Sequence, residues 1–175
     1  MQGADLAFTR FSETHLSQLM GWIDSEAQCR QWGGPRFRFP FDARSFTEDC
    51  CWRELPSFVL EDAAGCAVAF GQYYNRLNCC HLGRLIVAPA VRGLGVGRQL
   101  ISRLVAQGCR EFGLNRSSLF VLKKNQRALA LYEKLGYRKQ IYPEPVEWLD
   151  MCHYLVAPAK EILAATNSST DKVGK

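Results

Sequence analysis

The order of apolar and polar positions along the chain predicts an alternation of helices and strands. A 3.6-residue apolar period marks the helices, and apolar or alternating runs bounded by turn residues mark the strands. These patterns predict helices over 12–23, 42–53, 96–112 and 125–135, and strands over 57–61, 66–74, 79–87, 117–122, 137–142 and 148–156. The cluster Gln31-Trp32-Gly33-Gly34-Pro35 predicts a loop between the first two helices.

The resulting order is ααβββαβαββ. Its central strand–helix–strand unit predicts one parallel pair of strands. In such a right-handed crossover the helix carries the chain back along the sheet, so that the second strand runs in the same direction as the first. The expected fold class is therefore α/β, with a single mixed, mostly antiparallel sheet flanked by helices. We expect one domain over residues 1–160 and a polar, disordered tail over 161–175.

Composition narrows the class of protein. With 175 residues, 47% hydrophobic and 22% charged, the chain is typical of a globular domain and not of a coiled coil or a disordered protein. No run reaches the roughly 18 apolar residues of a membrane span, and the N-terminal residues show no secretory signal, so a cytoplasmic location without membrane contact is expected. The eight cysteines lack metal-ligand spacing, which predicts small buried residues with reduced thiols and no metal site.

The positive charge is concentrated in one half of the chain. Between Arg76 and Lys139 there are 13 lysines and arginines against only Glu111 and Glu133, whereas the rest of the chain carries a net charge of −6. A basic half of this kind predicts a polyanionic or phosphorylated partner. Because the stretch has few aromatic residues for base stacking, a discrete phosphate ligand is favoured over a nucleic acid.

A glycine-rich turn inside the basic half offers a phosphate site. Residues 87–98 read V-A-P-A-V-R-G-L-G-V-G-R and join a predicted strand to the longest predicted helix. Glycines leave the backbone bare, and the first amides of a helix have no intrahelical partner and lie at the positive end of its dipole. Arg92 and Arg98 add full charges, so the turn predicts a pyrophosphate site. Its spacing is neither the dinucleotide fingerprint nor a P-loop.

Two motifs together resemble the GNAT superfamily of N-acetyltransferases. The first is Arg/Gln-x-x-Gly-x-Gly/Ala, matched here by Arg92, Gly95 and Gly97 after the run L-I-V-A-P. The second is N-x-x-A-x-x-x-Y-x-x-x-G-[FY], matched by the stretch from Asn125 to Tyr137. The resemblance covers roughly residues 6–157 and is strongest over 82–138.

The resemblance implies an acetyl-CoA site. It assigns the pyrophosphate to the backbone amides of Arg92, Gly93, Leu94, Gly95, Val96, Gly97 and Arg98. It places pantetheine along Leu85, Ile86 and Val87, like an added strand, with the Val87 amide facing the thioester oxygen. Asn125 is expected to cap its helix and to contact pantetheine.

The resemblance also implies a reaction. The expected activity moves an acetyl group from acetyl-CoA to a primary amine of a small molecule, peptide or protein N-terminus, by direct attack in a ternary complex. Tyr132 occupies the position of the acid that protonates the leaving sulfur, with a core tyrosine as the other reading. His81 stands where many relatives carry a basic Glu, and it is equally open to a structural role; Glu61 or water could replace it.

The acceptor cannot be read from these residues. Arg36 and Arg38 could attract an acidic group on it, and an aromatic pocket could be lined by Trp32, Phe37, Phe39, Phe41, Tyr73, Tyr74 and Trp148. The expected partners are acetyl-CoA and an amine, with no nucleic acid, in a monomer or homodimer. The alternative reading is a non-catalytic CoA-binding regulatory module.

Overall fold

The computed structural model describes residues 6–167. Its strands are β1 (Ala7–Arg10), β2 (Ser57–Glu61), β3 (Ala67–Arg76), β4 (Cys79–Val87), β5 (Arg116–Leu122), β6 (Arg138–Gln140) and β7 (Cys152–Pro158). Its α-helices are α1 (Leu16–Met20), α2 (Glu26–Gly33), α3 (Ala43–Cys50), α4 (Val96–Phe112), α5 (Gln126–Lys134) and α6 (Ala159–Asn167). Short 3₁₀ turns cover Glu13–His15, Pro89–Val91 and Leu149–Met151.

The seven strands form one mixed sheet in the order β1-β2-β3-β4-β5-β7-β6. The pairs β1–β2, β2–β3, β5–β7 and β6–β7 are antiparallel, and β4 pairs with β5 in parallel. This confirms the predicted class, an α/β fold with a mostly antiparallel sheet. The parallel pair is the one that the strand–helix–strand unit predicted, because α4 carries the chain from β4 to β5.

The chain divides into two compact units. The first contains residues 6–72 and Arg84–Leu100, and the second contains Tyr73–Gly83 and residues 101–167.

The core of the first unit is rich in aromatic rings. Phe46 and Phe70 are fully buried, and Trp32 lies 5.5 Å from Phe46 and 6.1 Å from Phe70 between ring centroids. Asp42 caps α3 by accepting a hydrogen bond from the Ser45 amide, which fixes the helix that carries Phe46.

The core of the second unit forms where α4 packs closely on the sheet. Leu104, Leu119 and Leu155 are almost completely buried there. The close approach requires a glycine, because a Cβ on Gly108 would lie 2.5 Å from the Sγ atom of Cys80. Small side chains therefore set the distance between α4 and the strands.

Three elements were not predicted from the sequence. The predicted loop at 31–35 is wrong in its first half, because α2 continues to Gly33 and ends at Gly34, whose φ of +89° suits a C-terminal cap. The short strand β1 also escaped prediction. The predicted tail is wrong for residues 161–167, since α6 buries Ile162 completely, while residues 168–175 lie outside the described part of the chain.

Candidate active site

The glycine-rich turn joins β4 to α4, as its place in the sequence predicted. Gly93 and Gly95 take left-handed φ angles of +87° and +83°. The amides of Arg92, Leu94 and Arg98 donate to nearby carbonyl groups within the turn. The amides of Gly93, Gly95, Val96 and Gly97, in contrast, donate to no backbone carbonyl of the described residues.

These four donors therefore lie at the N-terminus of a 17-residue helix, where the helix dipole favours an anion. The Nε atom of Arg92 donates to the Val87 carbonyl at 3.0 Å, which ties the beginning of the turn to the end of β4. The geometry fits a diphosphate, and among the seven predicted amides these four are the ones without a backbone partner in the described residues.

The end of β4, where the pantetheine residues were predicted, lies beyond the part of this strand that pairs with β5. Parallel pairing with β5 covers Cys80–Leu82 opposite Ser117–Leu119. Arg84 then takes a left-handed φ of +50°, and Leu85, Ile86 and Val87 follow, all half-buried. Ile86 packs on the aromatic core of the first unit, which holds this segment in place.

Arg84 is a residue that the sequence analysis missed. Its guanidinium donates to the Gln72 side chain and to the Asp49 carbonyl, both at 2.9 Å, and its own carbonyl accepts a hydrogen bond from Trp32 at 2.8 Å. Gln72 is itself buried and donates to the Cys50 carbonyl at 3.0 Å. The side chain thus links β4 to the C-terminal end of α3. An arginine inside an otherwise apolar strand was the signal that could have indicated it.

Asn125 and Tyr132 both lie on α5, in the second unit. Asn125 caps the helix by accepting a hydrogen bond from the Ala128 amide at 3.2 Å, as predicted. Tyr132 is half-buried and contacts the ring of Tyr137 at 5.9 Å between centroids.

Burial raises the pKa of Tyr132 to about 12, so its hydroxyl stays protonated at neutral pH. Within residues 6–167 no hydrogen bond engages that hydroxyl, whereas the Tyr137 hydroxyl is hydrogen-bonded to Ser117 at 2.7 Å. The Tyr132 hydroxyl thus keeps a proton that it shares with no group of the described residues.

His81 lies in an environment that makes it a weak base. It is only 3% exposed, its Nδ1 atom is 2.8 Å from the Ser118 hydroxyl, and the rings of Tyr74 and Phe120 lie 5.1 and 5.2 Å away. Burial, reinforced by the charge of Arg76, lowers the pKa of His81 to about 3. An imidazole that is neutral and this reluctant to accept a proton argues against the predicted catalytic role and favours the structural one.

Glu61, the alternative base, is already engaged. Its carboxylate accepts hydrogen bonds from His15 Nε2 at 2.9 Å and from the Thr9 hydroxyl at 2.8 Å. The hydrogen bond from His15, together with that from Thr9, lowers the pKa of this carboxyl. Neither predicted base is therefore a strong proton acceptor.

Most of the side chains suggested for the acceptor have other roles. The guanidinium of Arg38 is held by Glu48 and by Asp49, each at 2.8 Å, and so is not open to an acidic ligand. Phe37 and Tyr73 are buried, and the Tyr73 hydroxyl donates to Glu111 at 2.6 Å. The predicted aromatic pocket is in large part core packing.

The cysteines, the possible metal ligands and the apolar helices provide no further functional site among the described residues. All eight cysteines are free thiols, and five of them are buried as predicted, whereas Cys66 is exposed and Cys51 and Cys152 are half-buried. The described residues contain no group of His, Cys, Asp and Glu side chains suited to hold a metal ion. Among the helices of residues 6–167, none is long and apolar enough to cross a membrane.

Comparison with known proteins places this geometry in context. The family model described as the acetyltransferase (GNAT) family matches residues 26–137. Thialysine N-epsilon-acetyltransferase of Bos taurus is 33% identical over 92 residues, which make up 50% of this chain and 54% of that protein. An N-acetyltransferase 9-like protein of Nematostella vectensis is 21% identical over 151 residues, covering 78% of this chain and 76% of the relative.

The matched region thus spans about half the length of the bovine relative. Among solved structures, the spermidine N-acetyltransferase of Vibrio cholerae in complex with CoA and spermine superimposes with a TM-score of 0.69 at 17% identity, over 92% of this chain and 99% of that one. At this level of identity the likeness concerns the fold.

Proposed function

Because the chain belongs to the acetyltransferase (GNAT) family, we propose that it transfers the acetyl group of acetyl-CoA to a primary amine by direct attack in a ternary complex. The observation that carries the proposal is the set of four uncommitted amides, Gly93, Gly95, Val96 and Gly97, at the N-terminus of α4. Backbone donors of this kind are suited to a diphosphate.

Each residue has a separate task in the proposed reaction. The turn residues from Arg92 to Arg98 bind the diphosphate, and Leu85, Ile86 and Val87 bind the pantetheine amides as an added strand. The Val87 amide donates to the thioester oxygen, where negative charge develops as the amine attacks. The carbon–nitrogen bond forms, the carbon–sulfur bond breaks, and Tyr132 gives its proton to the departing sulfur.

Asn125 caps α5, which carries Tyr132, and we propose that it also contacts pantetheine. The attacking amine must lose a proton, and since both His81 and Glu61 are weak bases we assign that proton to water. The acceptors carried by the relatives' names, thialysine and spermidine, are the first amines to try.

The test combines binding with turnover. Calorimetry should detect CoA binding, and release of free thiol should accompany acetyl transfer to at least one member of a panel of amines, peptides and protein N-termini. Tyr132→Phe should slow turnover about a hundredfold or more with little change in CoA affinity.

Tyr73→Phe is the matched control, because it removes a tyrosine hydroxyl of the same unit that already has Glu111 as its partner. If the folded protein ignores CoA, the proposal fails. CoA binding without turnover on any acceptor would favour a non-catalytic CoA-binding module, which the weak basicity of His81 also fits.

A further inference from the structure

Three aromatic rings of the second unit enclose a positive charge. The guanidinium carbon of Arg76 lies 5.6 Å from the ring centroid of Tyr74, 5.5 Å from that of Phe120 and 5.8 Å from that of Tyr142. Distances below about 6 Å over ring faces are those of attractive cation–π contacts. We refer to the three rings of Tyr74, Phe120 and Tyr142 as the aromatic cage.

The cage is built firmly. Phe120 packs edge-to-face on Tyr142 at 5.0 Å and on Trp148 at 4.8 Å, and Tyr142 is only 7% exposed. Edge-to-face aromatic packing thus holds two of the three rings, Phe120 and Tyr142, against neighbouring rings.

The occupant, in contrast, is held loosely. Arg76 is the last residue of β3, directly before a two-residue turn at Leu77 and Asn78. Over residues 6–167 its guanidinium makes no hydrogen bond or ion pair, so the rings alone retain it.

The charge around the cage also suits a cation. Residues 140–151 contain Glu144, Glu147 and Asp150 and no lysine or arginine, in contrast to the basic stretch before them. All three acids are exposed, and Glu144 accepts a hydrogen bond from the Tyr142 hydroxyl at 2.8 Å. A carboxylate thus lies beside one ring of the cage, where it attracts a positive ligand.

We propose that the aromatic cage is a binding subsite for an alkylammonium group of the acceptor, and that Arg76 is an internal competitor that fills it when no acceptor is bound. The identity of the ligand as an acceptor rests on the proposed function. Arg76 then determines specificity, because only a cation that outcompetes a guanidinium enters. Three weak ring contacts favour the state with Arg76 in the cage about tenfold over the state with an empty cage. A ligand that must displace Arg76 therefore binds about tenfold more weakly than it would bind an empty cage.

The test measures binding without acetyl-CoA, so that it is independent of turnover. Choline is the probe, and 3,3-dimethylbutan-1-ol is its uncharged isostere. Arg76→Ala should bind choline about tenfold more tightly than the unmodified protein, and the choline affinity of Arg76→Lys should lie between the two. The uncharged isostere should bind neither Arg76→Ala nor Arg76→Lys. In the Arg76→Ala background, Tyr74→Leu should weaken choline binding again, because it removes one ring face.

Arg53→Ala is the matched control. This arginine also lies over an aromatic ring, 4.9 Å from Trp52, but it belongs to the first unit, so its removal should leave choline affinity unchanged. Thermal unfolding checks that each variant is folded.

Turnover separates this inference from the proposed function. With an amine that is acetylated, Arg76→Ala should lower KM about tenfold. The inference is overturned if choline affinity and KM do not change in Arg76→Ala, if the uncharged isostere binds equally well, or if KM rises, which would mean that Arg76 contacts the acceptor directly. A protein that binds choline as expected but acetylates no amine would retain the cation site and lose the proposed reaction.

Discussion

Replacing Arg84 by glycine should destabilise the protein less than replacing it by alanine, which reverses the usual order within a strand. An interior glycine ordinarily costs about 0.5–1 kcal/mol relative to alanine. At Arg84, however, φ is +50°, a region that costs a residue with a Cβ about 1–2 kcal/mol.

The structure sets the size of both effects. Either substitution removes the two hydrogen bonds from the guanidinium to Gln72 and to the Asp49 carbonyl. A hydrogen bond to a charged group contributes about 1.5–3 kcal/mol. Because Arg84 is half-buried, each of its two bonds lies near the lower limit, and losing both costs about 3 kcal/mol. Glycine also relieves backbone strain, and we therefore expect Arg84→Gly to lose about 2 kcal/mol and Arg84→Ala about 3 kcal/mol. The bond from Trp32 to the Arg84 carbonyl is common to both.

Equilibrium urea unfolding measures the difference, which should also separate the two melting temperatures by about 2–4 °C. Because glycine retains the backbone before Leu85–Val87, Arg84→Gly should also retain more CoA affinity than Arg84→Ala. If the alanine variant is as stable as the glycine variant, or more stable, the left-handed backbone at Arg84 does not carry the strain assigned to it.

Further predictions concern the turn, the buried histidine and the helix contact. Gly95→Ala should weaken CoA binding about tenfold because its φ is +83°, whereas Gly65→Ala, with a similar φ of +77° in the turn between β2 and β3, should leave calorimetric CoA affinity intact. Between pH 6.5 and 4.5 the histidine of the unfolded chain binds a proton, whereas buried His81 in the folded protein stays neutral. Over this range the free energy of unfolding should therefore fall by about 2 kcal/mol more in the unmodified protein than in His81→Gln. Parallel pH profiles of urea unfolding for the two proteins would contradict this. Gly108→Ala should destabilise the protein by about 1–2 kcal/mol, in spite of the higher helix propensity of alanine, because the new Cβ meets Cys80. Adding Cys80→Ala to this variant should restore part of the lost stability. If thermal melts show that the losses of the two substitutions are additive, the contact is refuted.

Local patterns predicted the central elements because each carries its own signal. The glycines at 93 and 95 take the left-handed φ angles that only glycine adopts easily, and Asn125 caps the helix that its position indicated. The apolar period of α4 and the strand before it then located the turn between β4 and α4. Local signals that agree with one another in this way correctly predict the elements of the folded structure.

The elements that escaped prediction depend on distant partners. β1 has four residues and is stabilised by pairing with β2, some fifty residues later in the chain. His81 looked like a base because an isolated histidine titrates near neutrality, and only the rings around it in the fold show why its pKa falls. The cage around Arg76 likewise joins two strands and a loop, so no window of sequence could display it.

The C-terminal helix has a practical consequence for anyone who shortens this protein. Gly136 follows α5 with a φ of +97°, and a side chain added there would come within 3.1 Å of Glu161. α6 therefore covers the bend directly behind the helix of Tyr132. Trimming at residue 160 would remove the buried Ile162 and uncover that bend, so we expect a shortened protein to be less stable, and functional assays should retain everything through Asn167.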